Sequence, residues 1–520
     1  MLARATAATP WGIDARPVQV EVDVHVGLPQ MQIVGLADPA VKESRERVRF
    51  ALRNCGFELP PRSVVVNLAP ADLRKEGNHL DLAIALALLA AHGELPQEAL
   101  AGRLLCGELG LDGAVRTVRG ALAIADLAHR LGLFELLLPA ANAAEAAALG
   151  TVSVVPLRGL AEAIEHLLGR RPIAPFVAAD GDEPAVAAAP DLADVCGQQG
   201  AKRALEVAAA GGHNLLFLGP PGAGKTMLAQ RLPALLPPLS LVEAIAVTKI
   251  HSLAAEEPPA GLVRRRPFRN PHTNTSTAGL VGGGSPPRPG EASLAHNGVL
   301  FLDEMPEFHR DALEALRQPV EEGRITVVRA RARFTFPARF ALLASANPCP
   351  CGHLGDPRFE CRCPPPLVNR YRARISGPLL DRIDLQIEVP SLTVRELRGA
   401  RGESSAAVAA RVAAARDLQR ARFGDAASTP VNAAMLPDEV RRFCALDGAG
   451  RALLDRAFEA LGLSARAHDR VLKVARTIAD LAGGGPLRPA HLAEAIQYRT
   501  LDRRVSGVGT DSALVHRRGS

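Results

Sequence analysis

Short apolar runs alternate with helical patterns through the middle of the chain. Asn214–Leu218 (NLLFL), Gly298–Leu302 (GVLFL) and Phe340–Ala346 (FALLASA) are hydrophobic stretches too short for helices. Each reads as a strand buried on both faces, as in a parallel sheet covered by helices. Nearer the N-terminus, Val18–Val26 (VQVEVDVHV) alternates strictly, and Ser63–Leu68 is strand-like between Ala/Leu-rich helical segments. From about residue 391 the pattern is almost wholly helical, as in AAVAARVAAARDLQRARF and RAHDRVLKVARTIADL. Residues 171–190 are rich in Pro and Ala without periodicity and read as a linker. The expected layout is a first unit over 1–170, that linker, an α/β unit over 191–390, a helical unit over 391–505 and a disordered tail over 506–520.

The 520 residues suffice for several cores, and 48% hydrophobic with 22% charged residues is an ordinary soluble composition. Leu80–Ala91 is the longest apolar stretch, too short to span a bilayer and carrying Asp81. With no secretory pattern in the first dozen residues, the expectation is a cytoplasmic protein without membrane contact. A net charge of +6 is compatible with nucleic acid but does not argue for it. Eight cysteines in such a compartment are not a disulfide framework.

The chemistry begins at Gly219-Pro220-Pro221-Gly222-Ala223-Gly224-Lys225-Thr226, which follows an apolar run and opens a helical pattern. A glycine loop between a strand and a helix N-terminus turns its backbone N–H groups toward phosphate oxygens. Lys225 is then expected at the β- and γ-phosphates of ATP, and Thr226 at Mg²⁺. The second run ends in Asp303-Glu304, where Asp303 is expected to hold Mg²⁺ and Glu304 to orient the water that attacks the γ-phosphate. The third run ends at Asn347, a polar amide placed to contact the γ-phosphate or that water.

This order of loop, acidic strand and polar-tipped strand is the pattern of AAA+ ATPases, in which Asn347 resembles sensor 1. DVCGQ (194–198), AKRALEVAAAGGHNLLFLGPPGAGKT, RPGEASLAHNGVLFLDEMPEF, FPARFALLASANPCPCG and GPLLDRIDL together resemble the ComM (YifB) group of magnesium-chelatase-like AAA+ proteins over essentially the full chain. Met305, and Pro271-His272-Thr273, depart slightly from that pattern. The resemblance implies that Arg382 acts in trans on a neighbouring subunit's nucleotide, with Arg374 as the fallback. It also implies that Arg466, behind the N-cap Ser464, acts as sensor 2 from a helical lid. An arginine in trans implies a homo-oligomer, expected to be a hexamer. Residues 1–170 resemble the Lon-protease fold. In Lys75-Glu-Gly-Asn-His-Leu-Asp81 the serine position holds His79, and the lysine position is Leu122, so no peptidase activity is expected. The group implies a DNA motor that migrates branched recombination intermediates during natural transformation. A protein-remodelling motor and a metal-chelatase subunit are the rival readings.

Two insertions are candidates for substrate contact. Arg264–Gly290 carries a glycine triplet flanked by arginines and suggests a hairpin facing a central pore. Gly323–Phe336 (GRITVVRARARFTF) alternates like a β-hairpin, and its alternation places Arg329, Arg331 and Arg333 on one face, fit for DNA phosphates or equally for solvent. Directly after Asn347, Cys349-Pro-Cys351 and Cys361-Arg-Cys363 can close a tetrahedral structural zinc site, with His353 spare; four unrelated reduced thiols are the competing reading.

Overall fold

A computed structural model describes residues 2–499 apart from 59, 61, 76, 178–189, 255–258, 285–286, 330–331, 357, 398–400, 425–430 and 463. Most of the linker and the whole expected tail therefore lie outside the described residues.

The apolar runs form the centre of a five-stranded parallel sheet. Its order is Phe268–Arg269, Val299–Leu302, Ala341–Ala346, Leu215–Leu218, Leu385–Glu388. Alternation along each strand feeds two layers. Leu215, Phe217, Val299, Phe301 and Leu343 face the helix Gln199–Gly211 and the C-terminal helices. Leu216, Leu218, Leu300, Leu302 and Leu342 face Leu280, Ala292, Met305 and Leu313 on the other side. Because both faces are covered, the strands carry almost no polar side chains until their C-terminal ends, where the chemistry sits.

The C-terminal helices Ser405–Phe423 and Ala465–Leu481 pack on helix Gln199–Gly211. A buried polar network joins them to the N-terminal end of the sheet. His213 Nδ1 meets Asp384 Oδ2 at 3.1 Å, its Nε2 meets Thr477 Oγ1 at 2.8 Å, and Arg470 pairs with the other Asp384 oxygen. Burial alone raises a carboxyl, but Arg470 and His213 hold Asp384 far below the usual range, so the link is ionic across neutral pH.

The first unit is a seven-stranded mixed sheet. Its order is Gln30–Val34, Ser63–Ala69, Asp14–His25, Leu2–Trp11, Arg103–Leu105, Glu135–Pro139, Ser153–Leu157. It packs around Asp81–His92, a helix apolar on all sides and buried accordingly. His79 and Leu122 are both buried; His79 is pushed by burial to about 4 and stays neutral. The unit touches the α/β unit through several side chains. Lys249 bridges Asp14 (3.1 Å) and Asp126 (2.9 Å), and Gly120 N–H donates to Ser252 Oγ at 2.9 Å. Trp11, the only tryptophan, packs against Phe334 with ring centroids 4.8 Å apart. Among the described residues no helix is long and apolar enough to cross a membrane.

Candidate active site

Strand Leu215–Leu218 delivers the glycine loop, and the neighbouring strand Ala341–Ala346 delivers Asn347 beside it. Lys225 Nζ donates to Gly219 O (2.6 Å), Pro220 O (3.0 Å) and Asn347 Oδ1 (3.0 Å). The acidic strand lies one place further out, yet it reaches the same point. Thr226 Oγ1 donates to Asp303 Oδ2 at 2.7 Å, Ser345 Oγ donates to Asp303 Oδ1 at 2.6 Å, and Glu304 N–H donates to Ser345 Oγ at 2.9 Å. Lys225, Thr226, Asp303, Glu304 and Asn347 are thus brought together as the sequence predicts.

The loop has the properties that ATP with Mg²⁺ requires. Gly222 and Gly224 adopt φ of +76° and +91°, the left-handed backbone that glycine takes without strain, and a Cβ on either would meet nothing within 4 Å. Gly219 is needed for the opposite reason, since a Cβ there stands 2.2 Å from Val389 O. Thr226 and Asp303 present adjacent oxygens, the hard donors that Mg²⁺ prefers. Bound there, Mg²⁺ would neutralise developing charge on the β- and γ-phosphates.

Gln198 is a site residue that sequence reasoning missed. It adopts φ +55°, and its side-chain amide donates to Ala223 O (3.2 Å) and Pro390 O (2.7 Å), tying the glycine loop to the chain beyond the last strand. Its position inside the quoted DVCGQ run was the available signal.

Burial lowers the Lys225 ammonium to about 8, against the pull of Asp303 and Glu304. Phosphates restore its charged form, so between about pH 8 and its ordinary 10.5 the nucleotide-bound state holds more protons than the free state. Nucleotide affinity is therefore expected to fall as pH rises above 8, by at most about tenfold per unit for one proton. Titrating a fluorescent ATP analogue from pH 7 to 10 checks this, with Lys225→Ala as reference. Equal slopes in the two proteins would remove Lys225 as the source.

The arginines lie elsewhere. Arg382, 9% exposed, donates to Pro378 O at 2.7 Å and pairs with Glu321. Its backbone oxygen accepts from Asn214 Nδ2, which fixes it at the sheet end opposite the glycine loop. Arg466 is exposed, and with Arg382 and Arg470 it helps to lower the Glu321 carboxyl, so it shares that distant end. The fallback, Arg374, is engaged with Pro306 O and Glu307.

Both insertions meet expectation in part: Gly283 and Arg288 pair antiparallel across the glycine triplet of the first. In Arg264–Gly290, Arg266 binds Pro237 O, Asn297 O and Glu243, and Arg269 forks onto Glu291. These two arginines are engaged within the fold. The second insertion is the expected hairpin, Arg324–Arg329 with Ala332–Pro337. Its register pairs Val328 with Arg333 and Arg329 with Ala332, so positions 329 and 333 lie on opposite faces. The parity that holds along a single strand does not carry over from one strand of the pair to the other. Arg331 falls outside the described residues. The solvent face instead carries Arg324, Thr326, Val328, Arg333 and Thr335, while Ile325, Phe334 and Phe336 face inward.

Cys349, Cys351, Cys361 and Cys363 converge, with all four Sγ atoms within 4.8 Å of one another. His353 is not in that group; its ring packs on Phe359.

Comparison with known proteins agrees with this geometry. Residues 191–397 match the family described as magnesium chelatase, subunit ChlI. Residues 20–142 match subunit ChlI of Mg-chelatase, and 402–499 match its C-terminal region. Competence protein ComM of Haemophilus influenzae is 45% identical over 95% of this chain and 96% of its own. The chain belongs to the magnesium-chelatase-like family, in the group that includes YifB and ComM. YifB of Salmonella typhimurium is 45% identical with the same coverage, and a Mycobacterium tuberculosis relative is 43% identical over 97% of this chain and 99% of its own. Family membership points to an ATPase that uses ATP and Mg²⁺, in keeping with the loop, acidic pair and amide described above.

Proposed function

We propose that the chain is an AAA+ motor of the cytoplasm that assembles as a homo-hexamer and uses ATP hydrolysis to move branched or single-stranded DNA. Its proposed role is branch migration of recombination intermediates during DNA uptake, a reading supported by the competence name of the Haemophilus relative. In this reading residues 1–170 are a Lon-protease-like unit without its catalytic dyad, used for assembly or DNA guidance. The four-cysteine cluster is read as a structural Zn²⁺ site.

One observation carries the DNA reading. The hairpin with Arg324 and Arg333 on its solvent face runs into strand Ala341–Ala346, which ends at Asn347 bonded to Lys225. A ligand that shifts the hairpin therefore pulls on the amide at the nucleotide, and a phosphate backbone is the partner that two exposed guanidinium groups suit. ATP turnover is expected to rise severalfold or more with forked or four-way DNA at low salt, and the rise to vanish in Lys225→Ala. The double variant Arg324→Ala, Arg333→Ala is expected to bind DNA more weakly, with a shallower salt dependence, and to keep its basal turnover. Absence of stimulation and of DNA binding at low salt would return the reading to a protein-remodelling motor.

A further inference from the structure

The cysteine cluster lies against the nucleotide cradle. Cys349 is two residues beyond Asn347, and Gly352 packs so closely on the glycine loop that a Cβ there would stand 2.5 Å from Pro221 Cδ. On its other side Asp356 accepts from Ser391 Oγ at 2.9 Å, and Arg358 bonds both Asp356 and Ser391. Ser391 directly follows Val389, whose carbonyl backs Gly219, and Pro390, whose carbonyl holds Gln198. The cysteine segment thus touches the loop at Pro221 and, through Ser391, the support behind Gly219.

The four thiols have the shape of one metal site. Zn–S bonds of about 2.3 Å in a tetrahedron put sulfurs about 3.8 Å apart. Here Cys349 to Cys351, Cys349 to Cys361 and Cys351 to Cys361 measure 3.4, 3.6 and 3.7 Å, far beyond a disulfide bond. Four protein ligands would leave no open position, so an ion held there would be structural rather than catalytic.

We infer that zinc on Cys349, Cys351, Cys361 and Cys363 closes a clasp that holds Pro221 and Gly219 in their nucleotide-binding geometry, making ATP binding conditional on the metal. This rests on the zinc reading above. Without the ion the short segment that carries Gly352 loses its closure, and the glycine loop loses one of its walls. Stripping the metal then weakens nucleotide binding with every residue of the cradle intact.

The test measures metal content of the full-length protein and its affinity for a fluorescent ATP analogue before stripping, after stripping with a thiol reagent and chelator, and after reduction and zinc return. About one zinc per chain is expected. Affinity should weaken about tenfold or more on stripping, the scale on which supporting residues of a site act, and recover with zinc. Gly352→Ala is the second arm and bypasses any folding failure of stripped protein. It keeps all four thiols, so zinc should stay, while its Cβ displaces Pro221 and weakens nucleotide binding. A native protein without zinc would overturn both the zinc reading and the clasp. Zinc present, with affinity unchanged in stripped protein and in Gly352→Ala, would overturn the clasp and leave the zinc site standing.

Discussion

Arg382→Ala is expected to lower ATP turnover by about 10³-fold or more, the scale of an arginine supplied to a phosphoryl transfer site, while each protomer's own nucleotide affinity changes little. The expectation comes from where Arg382 cannot reach. It sits beside Asn214, at the start of a strand whose far end bears the glycine loop. Four extended residues separate the two by about 13 Å. The guanidinium is held by Glu321 and Pro378, and its Nε is buried without a partner. Helix Ala465–Leu481 is fixed beside it through Arg470 and Asp384, which places Arg466 in the same neighbourhood. One end of the protomer is thus a cradle and the other an ordered group of guanidiniums, the arrangement that the proposed ring would use. Mixing supplies the decisive measurement. Arg382→Ala protomers retain an intact cradle, and Glu304→Gln protomers retain an intact arginine. In the proposed oligomer the two would complete each other's sites at shared interfaces, so turnover should reappear in the mixture. No recovery on mixing would mean that Arg382 acts within its own chain or only supports the fold.

The nucleotide cradle was readable in the sequence because buried parallel strands are apolar until they end. At 218, 302 and 346 the first polar residues beyond the strand are the chemistry itself. What stayed hidden depends on contacts between distant segments. Arg266 and Arg269 look like free cations in a glycine-rich insertion, and only the fold shows them spent on Glu243 and Glu291. The face shared by Arg329, Arg331 and Arg333 holds for one straight strand and fails because positions 329 and 333 belong to two paired antiparallel strands. Gln198 shows no motif of its own, since its role comes from a left-handed backbone that aims the amide at Ala223 and Pro390. The helical segment was expected as a lid; it packs on helix Gln199–Gly211, and its Arg466 stands away from the glycine loop of its own chain.

Glu304→Gln is expected to lower turnover by about 10² to 10⁴-fold, the range for a lost general base or water-orienting group, with nucleotide affinity retained. The two acidic residues divide the work by position. Asp303 is fixed by Thr226 and Ser345, a fit for holding a cation. Glu304 shares Ser345 only through its backbone N–H, so its carboxylate is exposed and free to face a water. Holding it there requires φ +52°, a left-handed conformation that costs a non-glycine residue about 1–2 kcal/mol. Glycine relieves that strain and returns a similar amount as unfolded-state entropy. Glu304→Gly should therefore be as inactive as Glu304→Gln yet melt no lower than the parent. Thermal unfolding beside ATP turnover reads both quantities. A Glu304→Gly protein that unfolds several degrees lower would show that the side chain supports the fold; one that hydrolyses ATP at the parental rate would remove Glu304 from the chemistry.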